Sequence, residues 1–227
     1  MNFKKIIAQL KDGGKMNRGK IIVVDGISNS GKTTLCNNLA KQLDFKIVPE
    51  SIRYLEKRLH EKGDNILYVP RNKQEELRNQ EVLFDLEFDK LFDANYFADQ
   101  GKNVVIDKSP FSIVATAFAF ESSNISGTYN QSLKFLDAFM KKAKRYKLCS
   151  PDLLLLLKAN NSASLKRNLE RNHQLLSVWT QESTRIKQEK ILEEEFKRIN
   201  IKKSMIDTSK LSPREVYDKA LEQIRSL

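Results

Sequence analysis

One eight-residue segment constrains the fold of this chain more than any other feature of the sequence. Gly26-Ile27-Ser28-Asn29-Ser30-Gly31-Lys32-Thr33 matches the pattern G-x-x-x-x-G-K-[ST]. The apolar run Ile21-Ile22-Val23-Val24 before it predicts a buried strand, and residues 34–43 after it predict a helix. A strand, a glycine-rich loop and a helix in this order are typical of a loop whose backbone amides bind phosphate groups. A plain Gly-Ser turn is the alternative, and the flanking elements argue against it.

The same segment predicts the donor half of a nucleotide site with Mg²⁺. Lys32 is expected to reach the β- and γ-phosphates of ATP, and the Thr33 hydroxyl is expected to hold the metal ion. The N-terminus of the following helix adds partial positive charge beneath the phosphates. The predicted ATP-binding residues are Gly26, Ser28, Asn29, Ser30, Gly31, Lys32, Thr33 and Thr34. The loop thus predicts binding of ATP and Mg²⁺ and leaves open what happens to the γ-phosphate.

Composition limits the class of protein. The chain has 227 residues, which suits one domain over 20–227 after a basic lead-in over 1–19. No apolar run is long enough to cross a membrane, and Cys36 and Cys149 match no metal spacing, so we expect free thiols and a cytoplasmic protein. The net charge of +11 would suit nucleic acid. Because the basic residues are mixed with acids and form no stripe with aromatic residues, we prefer polyanionic small substrates and expect no nucleic-acid partner.

Strands and helices alternate along the chain, which predicts an α/β fold with a parallel sheet flanked by helices. Five consecutive leucines, 153–157, suit a central strand that is buried on both faces. Apolar residues at helical spacing over 74–100 predict a long helix that packs on the sheet. The five expected strands are 20–25, 45–48, 103–107, 152–158 and 203–207.

Charged residues follow the second expected strand, at the edge where ligands bind an open parallel sheet. Glu50 in the segment Pro49-Glu50-Ser51-Ile52-Arg53 is the candidate general base, because phosphoryl transfer to a hydroxyl needs a carboxylate that orients it and accepts its proton. The alternative is an acid that only stabilises a helix N-terminus. Arg53 lies one helical turn along and could pair with Glu50 or bind an anionic part of the acceptor.

The third expected strand also ends in charged residues. Asp107 follows Val104-Val105-Ile106, and a carboxylate at the end of such a strand can reach Mg²⁺ through water. An apolar run that ends in Asp is common by chance, so this assignment depends on the phosphate-binding loop. Lys108 beside it could contact the transferring phosphoryl group or the acceptor oxygen.

Basic residues after the fourth strand predict a lid over about 160–190. Arg167 and Arg171 lie at helical spacing, and arginines on a closing segment stabilise charge on a transferring phosphoryl group. We expect both to be catalytic. Lys166, Lys187 and Lys190 are expected on a solvated helix face, and His173 and Trp179 are expected to pack.

Taken together, these segments resemble the thymidylate kinase-like branch of the P-loop kinases, which includes thymidylate kinases, deoxynucleoside kinases and nicotinamide riboside kinase-like proteins. The resemblance covers most of the chain. It rests on Asp25-Gly26 through Thr34, Asp107-Lys108-Ser109, Ser150-Pro151-Asp152-Leu153, Leu165-Lys166-Arg167 with Arg171, and Met205-Ile206-Asp207-Thr208. It implies the P-loop NTPase fold, a five-stranded parallel sheet with a helical lid, and phosphoryl transfer from ATP to a small molecule.

Three segments compare with these families at the expected acceptor side. Val48-Pro49-Glu50 differs from the Arg-Glu-Pro of thymidylate kinases. Pro49-Glu50 with Arg53 is more similar to nicotinamide riboside kinase-like proteins, and Glu50 lies where deoxynucleoside kinases keep their base. Lys108 stands in place of the usual arginine and keeps the charge without the bidentate fork. Gln80 resembles a glutamine with which deoxynucleoside kinases read the base. The resemblance therefore implies that these residues bind the acceptor.

We expect a kinase that phosphorylates a nucleoside or a nucleoside monophosphate. Two alternatives stay open, an NTPase that switches a partner and a kinase for nucleic-acid ends. The apolar long helices could also support a homodimer.

Overall fold

The computed structural model describes residues 18–62, 69–125, 127–170 and 177–227. These residues form a five-stranded sheet in which neighbouring strands are parallel. Its strands are β1 (Ile21–Asp25), β2 (Lys46–Val48), β3 (Val104–Asp107), β4 (Leu153–Lys158) and β5 (Lys202–Asp207). The strand order is β2-β3-β1-β4-β5, which places β3 between β2 and β1. The predicted α/β fold with a five-stranded parallel sheet is confirmed.

Helices cover both faces of the sheet. In the described part of the chain they are α1 (Lys32–Leu43), α2 (Ser51–Lys62), α3 (Lys73–Asp99), α4 (Phe111–Glu121), α5 (Tyr129–Arg145), α6 (Asn161–Leu169), α7 (Ser177–Thr180), α8 (Glu182–Arg198) and α9 (Pro213–Arg225). Side-chain caps fix where some of them begin. The Asn72 side chain accepts a hydrogen bond from the Glu75 N–H at the start of α3, and Ser212 and Glu215 form a capping box at the start of α9.

Alternate residues of the central strand face two layers of core. Ile21 and Val23 of β1 pack with α3, α4, α5 and α8 on one face of the sheet, while Ile22 and Val24 pack with α1 and α9 on the other. The leucines 153–157 of β4 are all buried, so this strand is covered on both faces as its apolar run predicts. The central strands of the sheet are therefore covered on both faces.

The sequence predicted each strand to within one residue at its amino end, and the carboxyl ends coincide with those observed. The long helix over 74–100 is α3, shifted by one residue. The carboxyl ends matter most here, because ligands bind at that edge of a parallel sheet.

The segment predicted as a lid, 160–190, contains α6, α7 and the first half of α8, and residues 171–176 lie outside the described residues. Helix α8 packs along α4, and its Ile191 and Leu192 belong to the core, so its second half is part of the domain body. Movement of α6 and α7 stays a prediction. Across the ranges that the structure describes, no helix combines the length and the apolar character needed to span a bilayer.

Candidate active site

Backbone conformation shapes the phosphate-binding loop between β1 and α1. Gly26 has a φ of 142°, and a Cβ there would lie 2.2 Å from the carbonyl oxygen of Leu157, so the position requires glycine. Gly31, with a φ of 100°, immediately precedes α1. No described side chain caps α1 at this end, which leaves its first N–H groups available to an anion. The loop therefore has the shape that its sequence predicts.

Lys32 lies buried against the loop. Its Nζ donates a hydrogen bond to the Ile27 carbonyl oxygen at 2.8 Å. Burial is the largest cause that lowers the pKa of Lys32 from 10.5 to about 8, and the Lys108 cation lowers it further, while nearby carboxylates oppose the change. A polyanion bound at the loop would favour the charged form of this lysine.

Thr33 and Asp107 bring a hydroxyl and a carboxylate together beside the loop. Thr33 Oγ1 donates to Asp107 Oδ2 at 2.6 Å. Asp107 Oδ1 is buried and has no hydrogen-bond partner among the described residues. A buried carboxylate oxygen without a partner is unfavourable, and oxygen ligands of these two kinds are the ones that Mg²⁺ prefers. The two residues therefore fit a magnesium ion.

Asp25, at the end of β1, ties the loop to the neighbouring strand end. Its Oδ1 accepts hydrogen bonds from the Gly26 N–H and the Ser112 hydroxyl, each at 2.7 Å. Its Oδ2 accepts from the N–H and the hydroxyl of Ser109. Asp25 was visible in the sequence as a strand-end acid without a role, and the contacts give it a structural one.

Glu50 and Lys108 form an ion pair at the ends of β2 and β3. Lys108 Nζ lies 2.8 Å from Glu50 Oε2. The Lys108 cation is the largest cause that lowers the pKa of Glu50 from 4.5 to about 2. Burial is the largest single cause and lowers the pKa of Lys108, but the carboxylates of Glu50, Asp107 and Asp25 together outweigh it, so the pKa of Lys108 is raised. Glu50 is therefore ionised at neutral pH and able to accept a hydrogen bond from a hydroxyl.

Arg53 points away from this ion pair. Its Nη1 lies 3.2 Å from Glu56 Oε2 on the exposed side of α2. The predicted pairing of Arg53 with Glu50 is therefore wrong, because Lys108 reaches Glu50 from the adjacent strand end while Glu56 lies one turn from Arg53 on the same helix. Binding of the acceptor by Arg53 stays a prediction.

Gln80 is fully buried in α3. Its Nε2 donates to Glu76 Oε1 at 2.9 Å and to Thr128 Oγ1 at 2.8 Å. Glu76 and Asn79 line the cavity described below, whereas Gln80 does not. Its predicted role as a reader of the base stays a prediction that the cavity lining does not support.

Arg167 joins α6 to the phosphate-binding loop. Its Nη1 donates to the Asn29 carbonyl oxygen at 3.1 Å and to Thr208 Oγ1 at 3.0 Å, and its Nη2 donates to the Thr208 carbonyl oxygen at 2.5 Å. Its predicted action on the phosphoryl group stays a prediction. Arg171 lies outside the described residues.

Arg185 was missed by sequence reasoning. This arginine of α8 is buried and donates to the Ser164 hydroxyl and to the Ala159 carbonyl oxygen. Ser164 Oγ in turn donates to the Ser28 carbonyl oxygen at 3.3 Å, so α8 is linked to the loop through α6. An arginine in a highly charged helix resembles a surface residue, so the sequence carries no signal for this role.

A cavity of about 760 Å³ connects these groups. Residues 26–29 and 31–34 of the loop region line one side of it together with Arg167. Trp179 packs on Phe120, with 5.3 Å between the ring centroids, as the sequence predicted. It also lines the cavity, so packing is only part of what this side chain does. The opposite side includes Glu50, Lys108, Glu76, Asn79, Leu83 and Glu87.

The sheet order, the glycine-rich loop after β1 and the two groups of charged residues in one cavity define a P-loop kinase. Residues 22–176 match the family model of the deoxynucleoside kinases, and the chain belongs to that family. The protein is a nucleoside or nucleotide kinase, as the sequence predicted. Family membership favours this activity over the NTPase switch and the nucleic-acid end kinase.

Solved structures share the fold. Thymidylate kinase from Candida albicans has a TM-score of 0.67 at 17% identity, over 92% of each chain. Deoxyadenosine kinase from M. mycoides with bound dATP has a TM-score of 0.65 at 16% identity, over 90% of this chain and 98% of that chain. A comparison with curated proteins gave no significant match. At these identities the structural likeness shows the architecture, and the family match carries the activity.

Proposed function

We propose that this kinase transfers the γ-phosphoryl group of ATP, with Mg²⁺, to a hydroxyl group of a nucleoside. The observation that carries the proposal is the arrangement of the cavity, with Lys32 and Thr33 on one side and the Glu50–Lys108 ion pair on the other. A cavity that holds donor and acceptor together suits direct transfer between them, because orientation of the reactants removes much of the barrier.

The charges on the acceptor side favour an uncharged acceptor. Among the described residues that line this side, Lys108 is the one cation, and it is paired with Glu50. Glu76 and Glu87 line the same side and are buried, and Glu87 is already paired with Lys90. A phosphate group on the acceptor would lie near the Glu76 carboxylate, and like charges repel strongly where water is excluded. This supports a nucleoside rather than a nucleoside monophosphate.

Aromatic and apolar side chains on the acceptor side suit a nucleobase. Leu83, Phe120 and Trp179 line the cavity, and flat apolar surfaces of this kind favour stacking of a base. Asn79 and Gln188 add amide groups that can donate to and accept from the polar edge of a base. The combination is typical of a small-molecule site with few, well-placed polar groups.

Glu50 is the general base in this proposal. Its carboxylate orients the acceptor hydroxyl and takes up the proton as the hydroxyl oxygen bonds to the γ-phosphorus, while the bond from that phosphorus to the bridging oxygen breaks and ADP leaves. Because the pKa of Glu50 is about 2, its main contribution precedes proton uptake and consists of orienting the hydroxyl. Lys32, Arg167 and Arg171 neutralise charge on the phosphoryl oxygens.

Thr33 and Asp107 would hold the magnesium ion, in part through water. The unpartnered Asp107 Oδ1 beside the Thr33 hydroxyl supports this assignment. When bound, Mg²⁺ supplies neutralisation of the phosphate charge. Gly26, Ser28, Asn29, Ser30, Gly31 and Thr34 complete the proposed ATP site.

A substrate panel tests the acceptor. The four deoxynucleosides, nicotinamide riboside and the corresponding 5′-monophosphates are each assayed with labelled ATP and Mg²⁺. We expect transfer to at least one nucleoside, with kcat/KM about 100-fold lower for its monophosphate because of the buried Glu76 carboxylate. Transfer to monophosphates alone would contradict the proposal, and hydrolysis of ATP as fast as any transfer would favour an NTPase.

Glu50→Gln separates binding from chemistry. We expect this variant to bind ATP with the affinity of the wild type and to lose about 10³-fold in kcat. Glu56→Gln is the matched control, because Glu56 lies on the same helix with its side chain exposed. Normal turnover in Glu50→Gln would rule out Glu50 as the base.

A further inference from the structure

A lysine lies inside the protein directly behind the end of β3. Lys90, on α3, has a relative exposure of 0% and is one of the largest fully buried side chains of the described residues. Moving an ammonium group out of water is unfavourable by several kcal/mol unless it is paired and hydrogen-bonded. A lysine in this position therefore requires a complete set of acceptors.

Lys90 has three acceptors for its three N–H groups. Its Nζ donates to Glu87 Oε1 at 2.8 Å, to the Asp107 carbonyl oxygen at 3.0 Å and to the Lys108 carbonyl oxygen at 3.3 Å. An ammonium group has three donors and no acceptor, so its hydrogen-bonding capacity is filled. The side chain is fixed between one turn of α3 and the end of β3.

The two carbonyl groups belong to residues that serve opposite sides of the cavity. Asp107 contacts Thr33 on the donor side, and Lys108 pairs with Glu50 on the acceptor side. Lys108 has a φ of 66°, in the left-handed region, which is unfavourable for a residue with a Cβ. Because Lys90 bonds to both carbonyls, it stabilises the backbone turn from which these two side chains diverge.

Glu87 extends this network to the segment that carries the base. Its Oε1 accepts a hydrogen bond from the Ser51 hydroxyl as well as from Lys90. Ser51 directly follows Glu50 and is the first residue of α2. One buried ion pair therefore contacts both chain segments from which the Glu50–Lys108 pair is built.

We propose that Lys90 is a positioning residue for phosphoryl transfer, which together with Glu87 fixes Asp107, Lys108 and Glu50 relative to one another. The inference rests on the proposed roles of Glu50 and Asp107. A residue needed for folding alone would affect stability and all ligands together. A positioning residue lowers the rate of the chemical step and leaves nucleotide binding nearly intact, because Lys90 and Glu87 bond to the end of β3 and to Ser51, and the network reaches the phosphate-binding loop only through Asp107 and Thr33.

Lys90→Met removes the ammonium group at nearly constant side-chain length. We expect kcat to fall about 100-fold, with the Kd of ATP and the KM of the acceptor changed by less than about threefold. Lys73→Met, at an exposed lysine of the same helix, is the matched control and is expected to keep the kcat of the wild type. A parallel loss of ATP affinity, or a kcat close to that of the wild type, would overturn the proposal.

Two further variants keep the test valid if Lys90→Met folds poorly. Lys90→Met/Glu87→Gln leaves no unpaired charge and is expected to regain thermal stability while kcat stays low. Ser51→Ala cuts the network without removing a charge, and we expect kcat to fall about tenfold at an unchanged Kd of ATP. Recovery of kcat together with stability in the double variant, or wild-type kcat in Ser51→Ala, would leave Lys90 with a folding role only.

Glu50→Gln distinguishes failure of this inference from failure of the proposed function. Full transfer activity in Glu50→Gln refutes the general base, whatever Lys90→Met does. Loss of transfer in Glu50→Gln combined with normal kcat in Lys90→Met refutes the positioning role alone.

Discussion

Replacing Lys108 with methionine should make kcat/KM of this kinase fall at acidic pH values where that of the wild type does not fall. The Lys108 cation is the largest cause that holds the pKa of Glu50 at about 2 instead of 4.5. Once the cation is removed, burial of Glu50 acts in the opposite direction and raises its pKa. Glu50 of Lys108→Met, the proposed base, therefore becomes protonated at a pH where Glu50 of the wild type is still ionised.

The magnitude follows from the same ion pair. The difference between 4.5 and about 2 corresponds to about 3 kcal/mol for a fully buried pair. Since the two side chains are 34% and 33% exposed, solvent screening reduces this to about 1–2 kcal/mol. The folded-state pKa lies below the unfolded one, so this stability is fully present above about pH 4.5 and is lost as the pH falls toward 2. Lys108→Met should be less stable by that amount at neutral pH, with a smaller difference in acid.

The assay is kcat/KM for the best acceptor between about pH 4 and 8, together with thermal unfolding over the same range. The ratio of Lys108→Met to wild type should fall up to tenfold per pH unit below the raised pKa of Glu50. Lys141→Met is the control, because it breaks an exposed ion pair with Asp137, and neither residue lines the cavity. A ratio for Lys108→Met that stays constant over the whole range would refute the electrostatic reasoning.

Three further outcomes are expected. Gly26→Ala should lower the free energy of unfolding by about 1–3 kcal/mol in a thermal melt and weaken ATP binding, because its Cβ would lie 2.2 Å from the Leu157 carbonyl oxygen. Asp107→Asn should raise the Mg²⁺ concentration for half-maximal rate about tenfold or more in a metal titration, because it removes a charged oxygen ligand. The Kd of ATP should rise above about pH 8, measured by calorimetry, because the pKa of Lys32 is about 8 and only its charged form attracts phosphate; a Kd constant to pH 9.5 would contradict this.

The sequence predicted most of the sheet and the donor side because both depend on local patterns. Apolar runs over 21–24 and 153–157 form strands with little help from context, and the loop between Gly26 and Thr33 needs only its glycines and the adjoining helix. Glu50 and Asp107 were singled out because they lie at or just beyond the carboxyl ends of strands. In each case the chemistry of a few consecutive residues was sufficient.

The supporting residues could not be predicted in this way. Lys90 and Glu87 lie three residues apart on a helix rich in charged residues, which is also the spacing of an ordinary surface ion pair. Their burial depends on the end of β3 and on Ser51 covering them, and those contacts arise only in the folded chain. Gln80 was singled out by the family resemblance alone; its amide donates to Glu76 and Thr128, and its reading of the base stays a prediction.

Strand register explains why the two sides of the cavity meet at β3. Val48 of β2 pairs with Ile106 of β3, and Glu50 and Lys108 each lie two residues beyond this pair. The two residues are therefore adjacent at the carboxyl edge of the sheet, where they form their ion pair. On the other side of β3, Val24 of β1 pairs with Asp107, which brings that carboxylate beside the start of the phosphate-binding loop. Because β3 is the middle strand of these three, its last residue, Asp107, contacts the hydroxyl proposed to bind the metal, and Lys108 directly after it contacts the proposed base. A shift of this strand end would separate both pairs at once, which is why a buried lysine that holds the carbonyl groups of Asp107 and Lys108 is expected to matter for the rate.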